Sequence, residues 1–496
     1  MSNQLEPGLK QKTARGLFWG GFSIAVQQAV GLIFGIVFAR LLSEEDYGLV
    51  AELSIFTGIA GTIINSGFST ALTNKQDASD KDYNSVFWFS VIAGSVIYIA
   101  LFFSAPLIAQ YFHEPSLTLI SRVLFLTFLI GGISTSSYTY LYKNIKIKQL
   151  AIIDIMSLIT ACLSGLLLVL NGCAYWALVI QTLIFITLGS ILKIIISPWK
   201  PSLSLDLSPL RAMFPFSIKI LVTWIFIQIN NNIFSVIIGR MFGKRETGIY
   251  SQGQKWASMG CSLVTTMISS VTHPVLVRTG YDKARQVNAL RKLIRFGAFV
   301  SFPLLLGLAF VSDEFIIITI GEKWLPSSPY LQLFCIWASM QFLSTIFTSL
   351  IFTHGKSNIY MNVTVITGTV QIVSVILLAS SGIFTMITVY VSISLSSLFV
   401  WHHYVKKLVG IKLAEAVKDI SPYLIITVGC FIITALITQQ IKNIYILFAA
   451  KIIISGSLYI IVLKTINSII YKESIEFLKQ LLKSFQPSFR GRGYDS

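Results

Sequence analysis

Between Lys219 and Arg240 an otherwise apolar stretch carries Gln228, Asn230, Asn231 and Asn232. Amides in that setting lose the hydrogen bonds of water, so part of the turn must face protein or a polar cavity. With Gln27 and Gln28 in an apolar stretch near the N-terminus, they suit a lining for hydroxyls and amides. Lys219 or Lys255 beside such a lining would draw an anion. Interhelical hydrogen bonding without ligand contact is the competing reading of the same residues. Of the 21 acids, only Glu52 and Asp154 fall inside apolar stretches, where a charge is costly unless partnered. With Lys255 they are the candidates for a gate contact or for coupling to H+ or Na+. Glu52 and Lys255 would close the outer side, while Asp154 could instead snorkel to the interface.

Bond-breaking chemistry finds no such footing. The sequence has no phosphate-binding glycine loop ending in Lys-Ser/Thr, no His-Glu-x-x-His, no Gly-x-Ser-x-Gly and no dinucleotide fingerprint. The five cysteines are scattered singly and lack metal or redox spacing, so no metal or organic cofactor is expected.

The elements that must position these residues follow from composition. Of 496 residues 54% are hydrophobic and 12% charged, and windows of about 20 apolar residues recur along nearly the whole chain. The expectation is an all-α membrane protein with about fourteen transmembrane helices. The predicted spans are 16–39, 48–72, 86–110, 118–141, 150–170, 174–196, 212–239, 249–276, 288–311, 328–352, 358–379, 382–402, 419–438 and 443–465. The stretch after Lys10, Lys12 and Arg15 is too long for a signal peptide, and Ala39-Arg40-Leu41 is a poor cleavage site. A net charge of +17 could suggest nucleic acid, but the positive charges gather in alternate connections, as in membrane proteins with cytoplasmic lysines and arginines. That pattern places both termini in the cytoplasm. Its exception is the expected outer connection bearing Arg240, Lys244 and Arg245.

An internal echo divides the chain. Ala39-Arg40-Leu41-Leu42 through Asp46-Tyr47-Gly48-Leu49 reappears 200 residues later as Gly239-Arg240-Met241-Phe242 through Glu246-Thr247-Gly248-Ile249. Six spans separate the copies, an even number, so both halves would insert the same way up, as in parallel-repeat transporters. The expectation is two six-helix pseudo-repeat lobes around a central cavity, 1–200 and 201–410. Two additional spans, 411–470, and a cytoplasmic tail, 471–496, would follow.

Lys12 through Trp19, the Arg40 to Gly48 and Arg240 to Gly248 stretches, and Gly321-Glu322-Lys323-Trp324 resemble the polysaccharide-transporter branch of the multidrug/oligosaccharidyl-lipid/polysaccharide exporter superfamily. The resemblance implies a Wzx-like flippase. Such a protein moves undecaprenyl-diphosphate-linked oligosaccharide repeat units across the bacterial inner membrane by alternating access, for O-antigen, capsule or exopolysaccharide assembly. It implies a secondary, ion-coupled transporter rather than an enzyme, working with membrane lipids and with polymerase and chain-length machinery. Within the superfamily the alternatives are a lipid II, teichuronic-type or multidrug exporter. From another class the alternative is a membrane-embedded glycosyltransferase, polymerase or ligase, although those usually carry a large outer loop and the longest here is roughly 312–327.

Overall fold

The computed structural model describes residues 7–64, 67–204, 206–280, 282–468 and 470–473. Among them, fourteen helices are long and apolar enough to cross a membrane. In chain order, spans 1 to 7 are Phe18–Leu41, Ser54–Asn74, Asp80–Phe112, Leu117–Lys143, Ile147–Leu170, Trp176–Ile196 and Leu221–Phe242. Spans 8 to 14 are Lys244–Arg278, Lys283–Phe310, Glu322–Thr353, Ser357–Leu377, Ile383–Val409, Leu413–Thr438 and Ile444–Thr465. The chain is an all-α, multi-pass membrane protein. Phe103, Leu107, Ile195, Ile425 and Leu436 are among many large apolar side chains left exposed, which suits lipid and not water.

Two expected boundaries move. The predicted second span, 48–72, is preceded by a separate helix, Glu44–Glu52, and the apolar span starts at Ser54. The early start has a local cause. Ser43 and Asp46 form a capping box, and Glu44, Glu45 and Asp46 place negative charge against the exposed N–H groups of the first turn. Glu52 therefore ends a short helix outside the membrane-spanning segments. The connection read as a loop over 312–327 is likewise structured, as a helix Ser312–Thr319 and a 3-10 turn Glu322–Ser327. Gly321 joins them at φ +105, a conformation open to glycine and strained for other residues.

The described chain forms two compact units. One comprises the described residues within 1–253, 319–327 and 364–390, and the other those within 254–318, 328–363 and 391–473. In the first, Leu49, Leu53, Phe112, Leu117, Phe125 and Phe128 share one core, and Tyr83, Val86, Trp199 and Leu210 share another. In the second, Leu290, Ile294, Phe302, Phe342 and Ile346 pack together. Gly297 admits the Phe342 ring against the backbone of span 9. Further along that span Pro303, which has no N–H to donate, sits in a turn of π-helix, Phe302–Leu306.

Candidate functional site

The two copies of the sequence echo meet inside the first unit. A Cβ on Gly48 would overlap the carbonyl oxygen of Lys244, and a Cβ on Gly248 would overlap the carbonyl oxygen of Glu44. Gly48 and Gly248 are 200 positions apart, and so are Glu44 and Lys244. The contact is thus reciprocal: each glycine takes the backbone of the residue four positions before its own mate. Only residues without a side chain permit helices to approach this closely.

Charged and aromatic groups surround this crossing. Lys244 Nζ reaches Glu45 Oε2 at 3.2 Å and Glu114 Oε2 at 3.0 Å, joining the second copy to the first and to the connection after span 3. Arg240 lies against His113 and over the Tyr111 ring. His113 adopts the left-handed conformation that ends span 3.

Gly321, Glu322, Lys323 and Trp324 form a clasp on the C-terminal end of span 1. Helix ends leave carbonyls without intrahelical donors, and this segment supplies them. Trp324 Nε1 donates to Ala39 O at 2.7 Å, and Lys323 Nζ donates to Leu42 O at 2.6 Å and to Arg40 O at 3.1 Å. Arg40 Nε returns a bond to Thr319 O at 2.6 Å. Trp324 is fully buried against Tyr47, while the Glu322 side chain is exposed. The motif residues of the resemblance therefore make structure here, in a place the sequence could not pair.

Glu52 is buried with its carboxyl against Gly239, where a Cβ would stand 2.7 Å from Glu52 Cγ. Its expected counterpart Lys255 belongs to the second unit, with its ammonium 5.4 Å from the centroid of the Trp256 ring. Asp154 lies in span 5 and pairs with Lys193 of span 6 at 3.4 Å.

The polar turn of span 7 is mostly occupied by its neighbours. Gly58 of span 2 leaves room for the Gln228 and Asn232 amides, and Asn232 Nδ2 donates to Gln228 O at 2.9 Å. On another side Asn230 packs against Gly368 of span 11 and donates to Gln371 Oε1 at 3.1 Å. Asn231 is exposed. Gln27 donates to Ser23 at 2.9 Å, and Gln28 is half-buried on the same span. Lys219 falls on the helix Ser208–Phe242, with its side chain outside the described residues. Gln228, Asn230 and Asn232 thus come together as interhelical contacts.

Sequence reasoning missed two ion pairs of the second unit. Lys451, well inside span 14, donates to Glu314 Oε1 at 2.6 Å, with the two side chains 17% and 9% exposed. A lone lysine in the apolar run after Asn443 was the available signal. Asp419 at the start of span 13 is buried between Arg291 and Arg295 of span 9, each with Nε 2.7 Å from its carboxylate. The spacing of the two arginines, one helical turn, was legible, but their partner was not. Spans 9, 13 and 14 also border an apolar groove of about 430 Å³ lined by Leu304, Leu308, Phe431, Phe448 and Ile452 among others.

A family model described as "Polysaccharide biosynthesis protein" matches residues 37–329, more than half of the sequence. The chain is similar to the teichuronic acid biosynthesis protein TuaB of Bacillus subtilis (strain 168), 23% identical over 355 residues, covering 71% of this chain and 74% of that protein. It is also similar to the lipopolysaccharide biosynthesis protein WzxC of Escherichia coli (strain K12), 21% identical over 71% of this chain and 72% of the relative. Among solved structures, the lipid II flippase MurJ in an inward closed conformation superposes with a TM-score of 0.72 at 16% identity, covering 92% of this chain and 99% of that one.

Proposed function

Because this chain belongs to the polysaccharide biosynthesis protein family, we propose that it flips an undecaprenyl-diphosphate-linked oligosaccharide from the inner to the outer leaflet of the bacterial cytoplasmic membrane. It is a transporter of the multidrug/oligosaccharidyl-lipid/polysaccharide superfamily, not an enzyme. The observation that carries the reading is the reciprocal crossing of the repeat copies at Gly48 and Gly248. Two same-way-up halves that touch through a bare glycine contact can separate at one end without dismantling a side-chain core, which is what alternating access requires. Lobes 1–200 and 201–410 would rock about this contact. The crossing would face the outer side and the termini the cytoplasm, as the distribution of lysine and arginine supports.

The relatives' names support the cargo class: one is named for teichuronic acid, another for lipopolysaccharide, and the structural neighbour for lipid II. A diphosphate suits a cationic route, and its polyprenyl chain suits an apolar surface such as the groove of spans 9, 13 and 14. Gln27, Gln28, Asn231 and Lys219 are the residues assigned to the sugar and diphosphate in this reading, while Asn230 donates to Gln371 of span 11 and Asn232 to Gln228 of its own span. Coupling to an ion gradient and hand-over to a polymerase and its chain-length machinery belong to the same reading.

Deletion of the gene followed by extraction of lipid-linked intermediates tests it. Completed repeat units should accumulate on the inner leaflet, inaccessible to an impermeant periodate label added from outside. Unchanged polysaccharide at the cell surface, in a strain without a second transporter gene, would overturn the reading.

A further inference from the structure

One helical turn beyond Gly48 and Gly248, the offset of 200 relates Glu52 to Gln252. Both are interior, at 1% and 0% exposed. Among the described residues, Glu52 Oε2 and both amide atoms of Gln252 make no hydrogen bond of normal geometry, although the Tyr47 hydroxyl faces the Gln252 amide. A protonated glutamic acid and a glutamine have nearly the same shape and both carry a donor and an acceptor. The repeat mates thus place equivalent side chains beside the reciprocal glycine contact, and only one of them can ionise.

The surroundings of Glu52 disfavour its charge. On the span 7 side the carboxyl meets the Gly239 α-carbon, with no room for a side chain between them. The charged groups of the elements around it are Glu44, Glu45 and Asp46 on its own helix, Arg240 on span 7, Lys244, Arg245 and Glu246 in the first turn of span 8, and Glu114 after span 3. Lys244 is held by Glu45 and Glu114, Arg240 lies against His113 and Tyr111, and Asp46 accepts from the Ser43 and Tyr175 backbone. Burial, then repulsion from Glu114, pushes the Glu52 carboxyl up to about 8 against the opposing pull of Lys244. A metal cation would need several further oxygens around the carboxylate, and the Gly239 α-carbon occupies that face.

We propose that Glu52 is a proton-binding site of this chain, taking a proton from water onto its carboxylate while the glycine crossing is closed and returning it to water when the crossing loosens. Gln252 is the permanently neutral counterpart in the second repeat. The consequence for transport, a proton carried with each opening, rests on the flippase reading above. Proton binding itself does not.

The test uses the purified full-length protein in detergent, without cargo, so a wrong cargo leaves it intact. Infrared difference spectra across about pH 4 to about pH 10 should show a protonated-carboxyl band that titrates near 8. Glu52→Gln should remove that band, and Glu52→Gln with Gln252→Glu should restore it. The thermal midpoint gives a second readout. A folded-state value raised from 4.5 to about 8 adds stability that is whole below 4.5 and lost as pH rises through 8, so wild type should lose stability over that window relative to Glu52→Gln. A band that survives Glu52→Gln, or a wild-type protein whose carboxyl bands all titrate near 4.5, overturns the proposal. Should Glu52→Gln fail to fold, the wild-type titration decides alone.

Discussion

Glu52 and Glu314 are both buried carboxyls, one in each compact unit, and they solve the same electrostatic problem in opposite ways. Glu314 has the Lys451 ammonium at 2.6 Å. Glu52 has the Gly239 α-carbon against it, and Lys244, the cation that pulls on its carboxyl, is engaged by two other acids. Removing a carboxyl from water is costly in either case, and the cost is met by an opposite charge or avoided by binding a proton. The difference teaches that burial alone does not distinguish an ion pair from a proton site. The partner does.

The comparison breaks most visibly at Lys451. Lys451→Ala should leave Glu314 buried without its cation and lower stability by about 3–5 kcal/mol, read from the unfolding midpoint of the purified protein. Adding Glu314→Gln should recover most of that loss. If the double variant is no better than the single one, the pair is not the source of the effect. The glycine crossing beside Glu52 comes next. Gly48→Ala forces a methyl into the Lys244 carbonyl and should cost about 1–3 kcal/mol, whereas Gly31→Ala, with open space around it, should be silent. Equal effects of the two substitutions would refute the close approach. Smallest is Lys244→Ala, whose ammonium is partly solvated and should contribute about 0–1 kcal/mol, declining with salt. That variant also removes the cation whose pull opposes the rise at Glu52, so its carboxyl should titrate higher still, which the infrared band would report.

Much of the architecture is legible in apolar length alone, because a helix that leaves its backbone in lipid must be long, apolar and internally hydrogen-bonded. The fourteen spans belong to that class. The helix Glu44–Glu52 was lost inside a predicted span because its Gly-Leu-Val-Ala run continues the apolar pattern, although Ser43 and Asp46 carried the capping signal. The polar turn at 228–232 pointed to something beyond lipid, and the structure supplies Gly58, Gly368 and Gln371 as its neighbours. Nothing in a linear chain reveals that a glycine 138 residues away has left room for an asparagine.

By itself the sequence determined that this chain lives in a bilayer, which connections carry its positive charge, and that a motif recurs after 200 residues. These follow from local properties: hydropathy, charge and identity at a fixed offset. Tertiary structure decided that the two motif copies touch each other, that Gly321 to Trp324 closes the end of span 1, and which buried acid finds a lysine. Those outcomes depend on distances between residues far apart in the chain, and a carboxyl's charge in a medium of low polarity is set by what stands within a few ångströms of it.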